Sequence, residues 1–574
     1  MEAISGIAVE KTRFAKLKEF QKKLASLIFF DPACGSGNFL TETYISIRHI
    51  ENEVISQLQR GQIILGDEKH NPIQVSIGQF YGLEINDFAV TVAKTALWIA
   101  ESQMMKETEI ILHMQLDFLP LKSYANIIEG NALRVDWESV VPRDKLSYIM
   151  GNPPFIGASN MKSEQKSDAV TIFGKIKLSN SIDYVGAWYH KAATFIQDTK
   201  IHVAFVSTNS ITQGEQVAPL WSKMLNEYGV HINFAYRTFK WGSEATEGKA
   251  AVHCVIIGFS LSNNVDKYIY DDVIKTKAQN INPYLVDAPN VLIASRSKPI
   301  CNVPLMVYGN KPTDDGNLIL SVDEKNDLIA KEPDSVQFIR RYVGATEFIN
   351  NGERYCIWLK DVPFTALKNC PSILERVNRV REFRLKSTAK PTVDKANTPY
   401  LFFFVSQPKT EYILVPLHSS ENRRYIPMGY MEADVISSNA NSIIPNASLY
   451  HFGIISSNVH MAWVRAICGR IKSDYRYAGS TVYNNFPWPD ATDTQKAEIE
   501  KLAQGVLDAR TQYPDSTLAD MYGETSMLFH TALLNAHREL DRAVMKLYGF
   551  PVKDFTEVDC VAALMERYQV LANQ

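Results

Sequence analysis

The 574-residue chain lacks most features that announce a function from composition alone. It has only seven cysteines, at positions 34, 254, 301, 356, 370, 468 and 560, with no CxxC pair and no regular spacing. That scatter excludes a zinc ribbon or a disulfide framework and fits a reducing compartment. Its twelve histidines form no HExxH or comparable ligand pattern, so no metal site is expected. An excess of one charge sign is missing too. Lys and Arg number 60 against 63 Asp and Glu, net −3, so contact with a polyanion requires a local patch. No apolar run approaches the roughly 20 residues that cross a bilayer, and Met1–Ser5 does not open a signal-peptide pattern. The expectation is a soluble cytoplasmic protein with no membrane partner. Internal repeats and low-complexity tracts are absent as well. What remains is 46% apolar and 11% aromatic residues, enough for large cores in about three domains.

The first half alternates strand-like and helix-like segments. Apolar positions at Phe14, Leu17, Phe20 and Leu24 step by three and four within a helix from about Val9 to Ser26. Leu27–Phe30 reads as a strand that runs into Asp31-Pro32-Ala33-Cys34-Gly35-Ser36-Gly37, with a helix resuming at Asn38. Further strands are expected at Gln79–Leu83, Ile127–Glu129, Leu146–Met150, Val203–Ser207, Ile232–Tyr236 and Val252–Phe259, with a helix from Phe88 to Met104. This alternation predicts an α/β domain with a mostly parallel sheet over residues 1–285. After that, Pro, Asn and Gly become frequent. Short runs at Tyr355–Leu359, Tyr400–Val405 and Tyr412–Val415, with a helix from Ile373 to Lys386, suggest a mixed α+β domain over 286–490. Residues 491–574 turn helical, at Gln495–Thr511, Thr531–Tyr548 and Asp559–Leu571, and read as a bundle docked on the preceding domain.

Two motifs carry chemistry. A glycine loop between a strand and a helix offers free N–H groups and a helix N-terminus to a ligand, and Gly35 and Gly37 allow close approach. The P-x-C-G-S-G form is neither GxGxxG nor GxxxxGK[ST], which disfavours dinucleotides and nucleoside triphosphates. Glu84, in Gly82-Leu83-Glu84-Ile85-Asn86, ends the next strand, where an acid grips ribose hydroxyls; an inserted hairpin around Ile63–Ser76 would explain its distance from the loop. The second motif, Asn152-Pro153-Pro154-Phe155, follows a strand at the same carboxyl edge. Its prolines stiffen the backbone. The Asn152 side-chain carbonyl and the Pro153 main-chain carbonyl can accept the two hydrogens of an exocyclic amine. Phe155 offers a face on which a planar base stacks.

DPACGSGNFL, GLEIN and GNPPFIG, in that order, resemble the γ-class S-adenosylmethionine-dependent methyltransferases that act on adenine N6 in DNA. Phe452–Pro489 is similar to the segment closing the target-recognition domain of Mme-type (type IIL) restriction–modification enzymes. The resemblance implies a Rossmann-like class I methyltransferase domain, a target-recognition domain and a helical carboxyl-terminal region. It also implies S-adenosylmethionine as cofactor and double-stranded DNA as partner. It assigns cofactor contacts to Asp31, Pro32, Ala33, Cys34, Gly35, Gly37 and Asn38, to Glu84 and Asn131, and to Asn152. Catalysis falls to Asn152, Pro153, Pro154 and Phe155. The far face of a flipped base falls to Trp241, with Phe239 as the second choice; either can instead be a core residue.

DNA contact has to be local. Lys368–Lys395 holds eight basic residues against three acidic ones, with Arg376, Arg379, Arg381, Arg384 and Lys386 on a helix whose spacing could put Arg376, Arg379 and Arg384 on one face. Arg470, Lys472 and Arg476 interleave with Tyr475 and Tyr477, a pattern suited to tracking a nucleic-acid backbone. The lysine-rich stretch Met161–Lys177 could also touch DNA beside the flipped base. The family's nuclease segment and its HYT-like cofactor-covering segment have no counterpart in Met1–Phe30. The resemblance therefore implies a nuclease partner on a longer native chain or a separate subunit, weak cofactor affinity, and no cleavage by this chain. Two other readings fit the same motifs: transfer to a protein glutamine or an RNA base, and a non-catalytic DNA-binding module.

Overall fold

The apolar run before Asp31 forms a short strand, β1 (Phe29–Asp31), in which every residue is buried. The computed structural model describes residues 9–59, 72–113, 115–116, 126–174, 181–241, 252–264 and 266–573, with Ile4 and Gly6. These fall into two units, residues 1–212 with 216–292, and residues 213–215 with 293–574.

In the first unit, α1 (Glu10–Ser26) precedes β1, and α2 (Asn38–Gln59) follows the glycine loop. Then come β2 (Phe80–Glu84), α3 (Asp87–Leu112), β3 (Asn126–Glu129), β4 (Tyr148–Gly151), α4 (Ser163–Phe173), α5 (Gly186–Phe195), β5 (His202–Thr208), α6 (Val217–Asn226), β6 (His231–Trp241), β7 (Val252–Ser260), β8 (Lys267–Asp271) and β9 (Ile274–Ala278). Nine strands form one sheet in the order β3-β2-β1-β4-β5-β7-β6-β8-β9. The strands from β3 to β5 pair in parallel, and β7 runs antiparallel between β5 and β6. Parallel neighbours need crossovers, which the helices supply. The carboxyl ends of β1 to β6 therefore share one edge, except that β7 points the other way.

Sequence patterning explains the helices on this sheet. Leu40, Tyr44, Ile47, Val54 and Ile55 of α2 and Val90, Ala93, Leu97, Ala100 and Met104 of α3 recur at helical spacing and are buried. All of these but Val54 and Ile55 pack with Phe29, Phe80 and Ile127 into one core. Asn86 caps α3 by accepting the Ala89 N–H at 3.0 Å. The expected elements of this half form with ends shifted by a few residues; α3 continues to Leu112 and β6 to Trp241. Most of the hairpin expected at Ile63–Ser76 lies outside the described residues, and residues 72–76 hold no strand.

The second unit contains two four-stranded sheets and one three-stranded sheet. Its larger core gathers Leu318, Phe338, Ile357, Ile373, Val377 and Val380 beside α7 (Val322–Lys331) and α8 (Pro371–Leu385). Tyr400–Val405 is not the strand the sequence suggests, since only Phe404 bridges, to Lys311. Residues 491–574 pack into this same unit through α9 (Asp493–Thr511), α10 (Thr531–Leu547) and α11 (Glu557–Ala572). Asp541 of α10 accepts the Tyr425 hydroxyl at 2.6 Å and the Asn458 N–H at 2.7 Å. Arg510 of α9 donates to the Met428 carbonyl at 2.6 Å, and Arg567 of α11 to that of Trp488 at 3.0 Å. Among the described residues no helix is long and apolar enough to cross a membrane.

Candidate active site

Because β1 pairs in parallel with both β2 and β4, three loops leave the sheet side by side. The glycine loop is pinned from below. Cys34 N–H donates to the Leu83 carbonyl at 3.0 Å, and Gly37 N–H to that of Cys34 at 2.8 Å. Gly37 has φ +85°, and a Cβ there would lie 2.9 Å from that of Ala93, so only glycine lets α2 start this close to α3. Asp31 is buried and accepts the Ala33 N–H through Oδ1 at 2.9 Å. Its Oδ2 is also buried and has no partner. Burial, with the negative charge of Glu84 nearby, pushes the Asp31 carboxyl up to about 7, against the pull of the Ala33 N–H.

Glu84 stands at the end of β2, half-buried, accepting the Gly35 N–H at 2.9 Å and the Asn86 N–H at 3.1 Å. The acid and the glycine loop are thus physically joined. Ile85 and Phe88 flank them, 66% and 74% exposed. Large apolar residues at 85 and 88, just after a strand-ending acid, are a sequence signal for this exposed patch.

The second loop leaves β4. Gly151 packs on Asp31, whose carboxylate occupies the space a Cβ at 151 would need. The next residue, Asn152, has a buried Oδ1 without a partner. Pro153 is buried, Pro154 exposed and Phe155 half-buried. The structure therefore brings Asp31, Gly35, Glu84 and Asn152 to one edge and leaves two buried acceptor oxygens there unsatisfied. Buried acceptors without donors are uncommon in folded proteins and cost about 1–3 kcal/mol each.

Other sequence candidates are placed differently. The Cys34 side chain is buried in the core beneath the loop, so only its backbone faces outward. Pro32 offers a carbonyl that is already used by Trp188 Nε1 at 3.2 Å. Exposed Asn38 opens α2 and accepts the Ser36 hydroxyl at 3.1 Å. Asn131 spends its side chain on protein, donating to Asp168 Oδ2 at 2.9 Å and accepting the Leu133 N–H at 2.9 Å. Asp168, on α4, also takes Arg134 Nε at 2.7 Å. Phe239 and Trp241 end β6, with ring centroids 6.0 Å apart. They lie at the same carboxyl edge, and Trp241 is 38% exposed.

The basic candidates divide sharply. Arg384 is fully buried and is corrected from a DNA contact to a structural residue. Its guanidinium donates to the carbonyls of Thr313 (3.0 Å), Lys395 (3.0 Å), Thr398 (3.2 Å), Pro312 (2.8 Å) and Leu401 (2.9 Å). It continues the buried face Ile373, Val377, Val380 of α8, a spacing visible in the sequence. The carbonyl of Leu401, inside the run expected as a strand, is one of those it engages. Arg376 is tied to Glu324 at 2.9 Å, and Arg379 pairs with Glu375 on its own helix. Arg379, Arg381 and Lys386 are exposed. In the hairpin that follows, Arg470 is held by Ser473 O at 2.9 Å and Glu421 at 3.5 Å, while Lys472 and Arg476 are exposed. Tyr475 and Tyr477 are buried, so no aromatic rings interleave with the exposed charges there. Of Met161–Lys177, residues 163–173 form α4, and Lys175 and Lys177 lie outside the described residues.

Residues 7–271 match the model of the MmeI DNA-methyltransferase domain, 287–490 that of the MmeI target recognition domain, and 491–574 that of the MmeI C-terminal domain. The type IIL restriction–modification enzyme MmeI, solved in complex with DNA, superposes with a TM-score of 0.86 at 46% identity, covering 98% of this chain and 75% of that one. DNA methyltransferase A of Bacillus subtilis is 42% identical over 566 residues, 98% of this chain. The chain spans 63% of that relative's length.

Proposed function

The chain belongs to the MmeI family, and from that premise we propose that it is a site-specific DNA methyltransferase of a restriction–modification or phage-defence system, acting on adenine N6. The observation that carries this reading is the unpartnered Asn152 Oδ1 at the end of β4, next to a carboxylate, Asp31, that is itself half-satisfied.

The residues present fit S-adenosylmethionine. Asp31 Oδ2 is an unmet acceptor for a cationic donor, the space above Gly35 is open, and Glu84 stands where ribose hydroxyls would be gripped. Once bound, that cofactor supplies an electrophilic methyl group on a sulfonium. Everything else is alignment by this chain. Asn152 Oδ1 and the Pro153 carbonyl accept the two N6 hydrogens and turn the nitrogen lone pair out of conjugation with the ring. Phe155 stacks one face of the base, and Trp241, or Phe239, the other. Stacking worth about 1–3 kcal/mol per base offsets the few kcal/mol that base extrusion costs. No strong general base is required, since positioning supplies most of the acceleration. Exposed Arg379, Arg381, Lys386, Lys472 and Arg476 are the phosphate contacts this reading retains. With the genome as substrate, the reaction belongs in a bacterial or archaeal cytoplasm.

The test is transfer of labelled methyl from S-adenosylmethionine to duplex DNA, with the modified base identified by mass spectrometry. N6-methyladenine in DNA, abolished by Asn152→Ala, is the expected result. Label on cytosine, on RNA or on protein, or transfer that survives the substitution, refutes the reading.

A further inference from the structure

Four residues in and just before α5 reach the segments that follow β1, β3 and β4. Asp183 is 8% exposed, and among the described residues no Lys or Arg pairs with it. Its Oδ1 accepts the Ala158 N–H at 3.1 Å and Gln216 Nε2 at 3.1 Å. Its Oδ2 accepts the hydroxyls of Ser210 and Thr208, the latter at 3.4 Å. Tyr184 donates its N–H to the Ile156 carbonyl at 2.9 Å. One turn on, Trp188 Nε1 reaches Pro32 O at 3.2 Å. Lys191 Nζ then caps the carbonyls of Ala132 (2.7 Å), Leu133 (3.1 Å) and Val135 (2.6 Å). Ile156 and Ala158 directly follow the Asn152–Phe155 loop, Pro32 opens the glycine loop, and residues 132–135 follow β3.

A buried carboxylate without a countercharge persists only when donors fill its acceptor sites. Here four donors come from three stretches of the chain, and one of them is the backbone of the catalytic-loop exit. We propose that Asp183 is a positioning residue that fixes this exit, and through it the direction of Asn152, relative to the cofactor loops that Trp188 and Lys191 hold. The proposal rests on the methyltransferase reading above. Asp183 has no free oxygen to offer a substrate, so it acts through the loop and takes no part in proton transfer. A reacting group displaced by about 1 Å loses on the order of a hundredfold in rate, which is why a single tether at the loop exit matters.

Three variants of the full 574-residue chain test this, each measured for methyl transfer, for S-adenosylmethionine binding by calorimetry and for hydrogen exchange at the Ala158 amide. Asp183→Ala should lose turnover at least tenfold, keep cofactor affinity within twofold, and lose protection at Ala158. Asp183→Asn keeps an oxygen for Ala158, and the Ser210 and Thr208 hydroxyls can rotate to accept its NH2. It should therefore stay within threefold of wild-type turnover with an unchanged pH profile. Asp183→Glu keeps the charge but moves it outward, and should lose turnover at least fivefold; it decides the matter if the alanine variant does not fold. Wild-type turnover in the Ala or Glu variant overturns the proposal. So does an Asn variant as impaired as the Ala variant, or cofactor affinity that falls in step with turnover. A wild-type chain that binds cofactor but methylates no DNA sinks the methyltransferase reading instead.

Discussion

Asn152 at the end of β4 and Arg384 on α8 are both polar side chains with buried atoms, and their bonding is opposite. Arg384 spends its whole guanidinium on five carbonyls, while Asn152 Oδ1 has none of the donors it could accept. Saturation marks a residue that builds the fold, since nothing is left over for a ligand. At Asn152 the unmet acceptor stands beside a second one, Asp31 Oδ2, and together they leave a cost that binding can repay. On the same helix, buried Arg384 differs from exposed Arg379, which pairs with Glu375 one turn away.

The largest effect that could break this comparison is at Asn152. Asn152→Ala should lower methyl transfer by about a hundredfold or more, in the range seen on removing one group that stabilises a transition state. Its melting temperature should hold or rise, because the substitution removes an unsatisfied acceptor. A variant that unfolds would place Asn152 with the structural residues. Next comes Arg384→Met, which removes five bonds to carbonyls, of which those of Pro312, Lys395 and Thr398 keep a backbone N–H, and should destabilise the second unit by about 3 kcal/mol in urea unfolding. Arg379→Ala should stay within about 0.5 kcal/mol of wild type.

Asp31 sharpens the comparison through pH. Its folded pKa of about 7 lies above the ordinary 3.8, so between these values the folded chain holds a proton that the unfolded chain has released. Stability should therefore be full below about pH 4 and fall as pH rises towards 7, by at most about 1.4 kcal/mol per pH unit. Asp31→Asn should flatten that fall, as followed by urea unfolding across the window. The smallest effect is at the hairpin of Gly469–Ile471 and Asp474–Arg476. Lys472→Ala should reduce the salt dependence of DNA binding by about one unit of log–log slope, without altering the methylated sequence.

The edge that gathers the glycine and proline loops was legible in the sequence because its constraints are local. Glycines between a strand and a helix, and two prolines after a strand, dictate backbone shape within a few residues, so the loops of Asp31–Gly37 and Asn152–Phe155 could be placed by reading along the chain. Arg384 was misread because its spacing was measured against other arginines instead of against Ile373, Val377 and Val380, whose buried face it extends. Asp183, Trp188 and Lys191 were not legible as individual site residues. Their partners lie 25 to 156 residues away, and the contacts exist only once the sheet has brought the loops together. Tyr400–Val405 shows the same limit: strand-like composition did not become a strand where an arginine engages a backbone carbonyl.

Gly151 carries a consequence for how this fold can change over evolutionary time. The Asp31 carboxylate fills the volume that any side chain at 151 would claim, so the gap between the acid of one loop and the amide of the next is set by a missing methyl group. Even alanine there would act as a wedge and spread both halves of the cleft at once. Sequence drift is thus closed at a position that has no side chain of its own, and a lineage that lost this glycine would need to rebuild two loops together to recover.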